Sequence, residues 1–344
     1  MENKRYNGLD GVRALAAIGV AVMHVMYNGG YKISGFIAEK LIGNMGDFVF
    51  LFMIVSAFSL CCGYYDKIIN KKISPTEFYA KRFKRILPFF ALVCIMDFAL
   101  SPDAKSAMEL FAELTLCFGL LPNPQMSVIG VGWFIGLIFV FYIAFPFFCS
   151  LIANKRRAWS AFAVSIALNL MCEYYFFSAD RVVNFDYRSN IIYAAPYFFI
   201  GGLIYLYRDS ISKMLVKLKY PVLLLCFGSA ALVIAFGRSI WTILPTFALL
   251  TVYAMRENSP LLENKAAAFL SSISMEIYLC HMMFFRLIEK LKLSHLFEND
   301  ILSYIFTAAV TLAAAIVFSF AVKKIFSIVE SKALCRKNLT ERSS

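Results

Sequence analysis

The chain has 344 residues, of which 60% belong to the hydrophobic set and 16% are charged, with 34 Lys and Arg against 22 Asp and Glu. Soluble chains carry roughly 45–50% apolar and about 25% charged residues, so this composition excludes a disordered protein, a disulfide scaffold and a soluble multi-domain enzyme. The net charge of +12 reads as a topology signal and not as a nucleic-acid signal, because no basic patch with interleaved aromatics lies outside the apolar segments.

A membrane span needs about 20 mostly apolar residues. Ten segments meet that test, at roughly 10–28, 45–63, 84–101, 131–151, 158–178, 191–208, 220–236, 240–256, 268–289 and 301–323. The expected fold is an all-α polytopic membrane bundle in a single domain over 1–344. The first segment contains Arg13 and ends without a small-residue cleavage site, so it reads as a retained helix and not as a signal peptide. Ser106 to Leu121 is short and carries Glu109 and Glu113, which leaves hydropathy undecided there. Loop charge decides it. With ten spans and both termini cytoplasmic, 24 Lys and Arg fall on inner segments and nine on outer ones, as the positive-inside rule requires. A crossing at Ser106–Leu121 would invert everything after it, so that segment is expected to be a re-entrant or surface helix on the outer side.

Titratable groups at bilayer depth cost at least about 2.5 kcal/mol on insertion scales and therefore need a partner or a purpose. In the first span Arg13 and His24 are separated by ten almost wholly apolar residues. At about 100° and 1.5 Å per residue they share one helix face, about 16 Å apart. Arg13 either snorkels to the inner headgroups beside Asp10 or supplies a cation to a site; His24 either bonds a neighbouring helix or transfers protons. Arg82 and Arg85 lie three apart where the third span begins, as plain anchors or as a phosphate-recognising pair. Trp133 opens the fourth span as a belt aromatic or a substrate contact. In the ninth span Ser274, Tyr278 and His281 form a polar stripe at i, i+4 and i+7, suited to interhelical hydrogen bonds or to a site. His295 is expected in an outer loop, solvated. No CxxC spacing occurs, so the cysteines read as small buried hydrophobes and no metal site is expected.

These residues resemble the acyltransferase-3 family of integral-membrane acyltransferases, nearly end to end. Gly8-Leu-Asp-Gly-Val-Arg13 followed by His24 is similar to the family's Arg, ten residues, His signature. Phe50 to Phe58 resembles its second helix, including Ser56 but with Ala57 in place of Gly. Arg82-Phe-Lys-Arg85-Ile-Leu-Pro88 resembles its Arg-x-x-Arg segment, and Ser274 to His281 its Ser-Tyr-x-x-Tyr-Leu-x-His helix, with Met275 departing. Trp133, Tyr142 and Pro146 match its fourth helix, whereas the paired glutamates of one large subgroup fall on Ile138 and Phe139. That departure points to the shorter, single-domain glycan O-acyltransferases.

The resemblance implies an acyl-CoA donor, acetyl or succinyl, taken from the cytoplasm, and a hydroxyl acceptor on an envelope or exported glycan, in the cell membrane. Acyl-CoA would be a substrate, with no bound cofactor. The implied catalytic group is His24, Arg13, His281 and Tyr278. Arg82, Arg85 and Arg13 would hold the donor, and Ser274, Ser56 and Trp133 would support the acceptor side. The rival classes are a proton-coupled transporter or flippase of a glycan or lipid using Arg13, His24 and His281 as its pathway, and a binding-only sensor.

Overall fold

A computed structural model of the chain describes residues 5–100, 102–121, 128–176, 187–256 and 258–343. Lipid offers a backbone no hydrogen-bond partners, so spanning segments close their own bonds as helices, and among the described residues there is no strand. The helices are α1 (Gly8–Asn28), α2 (Phe48–Leu60), α3 (Asp66–Ile69), α4 (Pro75–Leu100), α5 (Ala104–Leu114), α6 (Trp133–Ile152), α7 (Lys155–Met171), α8 (Ile191–Leu206), α9 (Arg208–Phe236), α10 (Ile240–Ala254), α11 (Lys265–Ser272), α12 (Ser274–Lys290) and α13 (Asp300–Ser343).

Each of the ten expected segments falls on helix, although residues 101, 177 and 178 of those segments lie outside the described residues. Five helical stretches are long and apolar enough to cross a membrane alone: residues 8–28, 37–69, 133–152, 208–236 and 300–332. The ninth expected span is broken. α11 and α12 meet at Ile273 with a bend of 69°, and only taken together do they reach spanning length. The final helix runs on well past the expected end at 323. The eighth, α10, has only 15 residues.

Ser106–Leu121 becomes α5 followed by a turn of 3-10 helix at Phe118–Leu120. Eleven residues reach about 16 Å, too short to cross. Asp103 caps α5 by accepting from the Ser106 amide at 2.8 Å, and the Ser106 amide and hydroxyl hold its carboxyl below the usual carboxylate range. Glu113, one of the two acids that obscured this segment, is wholly buried and accepts from the Ile129 amide at 3.3 Å. Burial pushes its carboxyl up to about 7.

Helix α1 is central: 67% of its apolar window is buried, against 17% for α9 on the periphery. It packs against α2, α10, α11, α12 and α13. Gly11 permits that approach on one side, since a Cβ there would stand 2.6 Å from the Leu262 Cα. The closely packed pair α2 and α8 depends likewise on Gly201, whose missing Cβ leaves space for the Ile54 carbonyl, and on Phe50 stacked on Tyr197 at 4.4 Å. The described cysteines are all unpaired, and Cys94, Cys149, Cys172 and Cys280 are buried as expected, whereas Cys226 is half-buried. His295 is exposed, as expected for a solvated loop residue. It bonds the Gly29 carbonyl at 2.9 Å and lies against Tyr31, tying the loop after α12 to the end of α1.

Candidate active site

Residues from five helices converge beside Arg13. A cavity of about 100 Å³ is lined by Arg13, Ser56, Arg85, Tyr142, Ser274 and Tyr278, with the rings of Phe52 and Phe134 completing its wall. It draws on α1, α2, α4, α6 and α12, all of which the sequence marked. Arg13 is fixed from two sides: Nη1 donates to Asp10 at 3.2 Å, one helical turn back, and Nη2 donates to the Ser59 hydroxyl of α2 at 2.5 Å. Asp10 is held in turn by Arg5 at 2.9 Å and by the Ser271 hydroxyl at 2.8 Å. Arg85 enters the same cavity with no carboxylate partner among the described residues, and its charge acts on Arg13. Two guanidinium groups converging on one small cavity have the donor geometry that suits an anion with several oxygens.

The other site residues are brought near this cavity in different ways. Arg82 lies outside the lining, donating to the Tyr64 hydroxyl at 2.6 Å with its guanidinium 4.7 Å from that ring centre. Trp133 is also outside it, edge-on to the lining ring of Phe134. Ser274 begins α12 and turns its hydroxyl back to the Ser271 carbonyl at 2.9 Å. The Tyr278 hydroxyl donates to the Val131 carbonyl at 2.8 Å, so it holds the segment entering α6. Glu113 holds the same segment through Ile129.

Further along α1 the two membrane histidines meet. His24 Nδ1 and His281 Nε2 are 2.9 Å apart, and the rings are nearly parallel, with centres 5.2 Å apart. His281 is fully buried, and its Nδ1 lies 3.3 Å from the Ile277 carbonyl. A carbonyl can only accept, so His281 carries its proton on Nδ1 and offers a lone pair at Nε2. That lone pair accepts the hydrogen bond donated by His24 Nδ1–H. The neutral His24 ring then has its own lone pair at Nε2, an atom with no hydrogen-bond partner among the described residues. The chain of hydrogen bonds thus fixes the His24 ring with its Nε2 lone pair unengaged by the described residues.

A third feature was invisible in the sequence. Asp47, buried at the start of α2, takes Arg188 at 2.9 Å and Arg238 at 2.8 Å. Arg188 also donates to the Gly46 carbonyl at 2.9 Å and lies over Phe50, and its charge acts on His24 and Tyr278. Reading by segment had counted Arg188 only as an outer-loop cation. The bundle therefore carries a cation pair near the start of α1, a histidine pair about 16 Å further along, and a second pair of arginines, Arg188 and Arg238, held on Asp47. No group of three or more His, Cys, Asp or Glu able to hold a metal occurs among the described residues.

Comparison with known proteins returns one family. The model of an acyltransferase domain, acyltransferase family 3, matches residues 6–320. No curated protein and no solved structure is found to match. The family match covers α1 to α12 and about half of α13, and so takes in the arginine cavity, the histidine pair and Arg188. On that coverage the chain belongs to the acyltransferase-3 family and is a multi-pass membrane acyltransferase.

Proposed function

We propose that this enzyme moves an acetyl or succinyl group from CoA to a hydroxyl of a cell-envelope or exported glycan, with His24 as general base. The observation that supports this most strongly is the His24–His281 pair, which leaves one lone pair, at His24 Nε2, free to take a hydroxyl proton. The acceptor oxygen attacks the thioester carbonyl carbon as His24 Nε2 removes its proton. The tetrahedral intermediate collapses, the C–S bond breaks, and the imidazolium returns the proton to the departing thiolate. The products are an ester and the free thiol of CoA. Arg13 and Arg85 bind the phosphates of the donor, whose extended arm covers the distance to His24, and Arg188 faces the acceptor end. In this reading the chain is one domain in the plasma membrane. It crosses ten times with both termini cytoplasmic, so the arginine cavity opens to the compartment that supplies CoA.

His281 is a positioning residue here, and it can be tested as one. His281→Ala frees the His24 ring to turn, and a misplaced base costs about 10²-fold in kcat with the donor KM unchanged. His281→Asn, whose side-chain oxygen can accept the same proton, restores part of the rate. Equal loss in both variants, or a change in KM alone, contradicts the role.

The two arginines of α4 should separate kinetically. Arg85→Gln removes a charged donor from the cavity and is expected to raise the KM for acyl-CoA about tenfold, since hydrogen bonds to charged groups contribute about 1.5–3 kcal/mol. Arg82→Gln, which mainly loses a contact to Tyr64, is expected to change KM less. Initial rates over a range of donor concentrations decide between them.

A further inference from the structure

A second cationic cavity lies apart from the site described above. It encloses about 400 Å³ between the first turns of α9 and the loop that follows α10, where Lys213, Lys219 and Arg256 line it with Ser212 and Asn258. Leu215, Val216 and Met255 supply an apolar shelf beside the charges. None of the described lining residues is acidic, so three positive charges converge without compensation within the wall. Glu263 on the same loop accepts from the Asn258 backbone amide at 3.0 Å; Glu257 lies outside the described residues.

The cavity is built from two separate elements. Arg256 is fixed by donating to the Tyr253 hydroxyl at 2.6 Å and to the Asn258 carbonyl at 3.1 Å, with its guanidinium over the Tyr253 ring. On the other wall α9 leaves helical geometry at Leu218, three residues before Pro221. The kink separates a basic first half from an apolar second half that faces outward, with Leu224 70% and Phe227 67% exposed. The cavity therefore sits where a polar surface meets the lipid-facing wall. It is at the same end of the bundle as the start of α1, since Gly8 lies against the Ala254 carbonyl.

We propose that this cavity binds a phosphate group carried by a ligand with an apolar portion. Lysine ammonium groups and a fixed guanidinium suit phosphate oxygens, and the shelf suits the chain attached to them. Two sources share that chemistry: the headgroup of an anionic phospholipid and the phosphates of CoA. The lipid arm is independent of the acyl-CoA reading, and the CoA arm rests on it.

The test uses the purified full chain, with binding measured at equilibrium so that no turnover is needed. The lipid arm compares phosphatidylglycerol with phosphatidylcholine by native mass spectrometry, and the CoA arm compares CoA with dephospho-CoA by calorimetry. Lysines beside a phosphate-rich surface contribute about 1 kcal/mol each, so Lys213→Gln with Lys219→Gln should weaken the favoured ligand about tenfold or more. Lys217→Gln, an exposed neighbour outside the lining, should change nothing. Loss of phosphatidylglycerol preference in the double variant assigns the lipid; loss of discrimination between CoA and dephospho-CoA assigns the donor. Unchanged binding in both arms overturns the proposal. So does an equal effect of Lys217→Gln, which would reduce these charges to general membrane anchors. If acyl-CoA is not the donor but phosphatidylglycerol binding depends on the pair, the acyl-CoA reading fails and this one stands.

Discussion

His24→Ala is expected to lower kcat for acyl transfer by about 10²- to 10⁴-fold, the range for loss of a general base, while the donor KM stays near its original value. The ring is oriented through Nδ1 by a fully buried partner, and its Nε2 has no hydrogen-bond partner among the described residues. Its removal therefore takes away the proton acceptor without uncoupling the helices that hold Arg13. The structural cost is one unpaired acceptor on His281, about 1–3 kcal/mol. His24 is part-exposed, and it leaves no buried charge behind. Folded protein should be recovered, as size-exclusion elution and thermal unfolding can verify. No concentration of acyl-CoA should restore the rate.

Arg13→Ala is expected to fail differently. Asp10 keeps Arg5 at 2.9 Å and Ser271 at 2.8 Å, so its carboxylate is not stranded and the start of α1 stays in place. The loss falls on donor binding, where charged hydrogen bonds of about 1.5–3 kcal/mol convert to about 10- to 10²-fold in kcat/KM. Excess acyl-CoA should recover part of the activity. Arg13→Lys should recover less than full binding, because an ammonium group cannot contact both the Ser59 hydroxyl and a donor oxygen with the geometry of the fork. Initial-rate measurements on both variants separate a KM effect from a kcat effect. A purely catalytic loss at saturating donor would remove Arg13 from the donor site.

Much of this site was legible because helical period is a local property. Ten intervening residues place Arg13 and His24 on one face whatever surrounds them, and the three-residue step to Asp10 gives the ion pair seen at 3.2 Å. Lipid also forces apolar segments to be helical, so the helices could be placed to within a few residues at most ends, although only five stretches are by themselves long and apolar enough to cross. Period does not tell which helix will face that stripe. His281 is 257 residues away from His24, and its pairing follows from how α12 docks on α1. The stripe of Ser274, Tyr278 and His281 reads in sequence as interhelical hydrogen bonding or as a site. In the bundle each group finds a separate partner: the Ser271 carbonyl, the Val131 carbonyl and His24.

The remaining differences have similar causes. The break at Ile273 carries no Pro or Gly signal in the sequence, since Ile273 is an ordinary apolar residue there; the turn joins α11, lying against the start of α1, to α12. Arg188 sits in a short turn before α8, outside any apolar segment, and only the fold carries it to Asp47 and His24. Glu113 looked like an obstacle to insertion, but its burial against the Ile129 amide shows it fastening a non-spanning segment. Arg82 and Arg85 share a sequence motif, yet the three-residue step leaves them about 60° apart around α4, and one rests on Tyr64 while the other enters the cavity.

The central claim is that His24 takes a hydroxyl proton while an acyl group passes from CoA to a glycan. Its most direct test supplies purified protein, in vesicles, with acyl-labelled acyl-CoA and the surface glycan of the source cell. Release of free CoA thiol and appearance of alkali-labile label in the glycan are followed together. The predicted result is equal amounts of thiol and ester from the original protein, and a loss of both by about 10²-fold or more in folded His24→Ala protein. Undiminished ester formation by that variant would contradict the account.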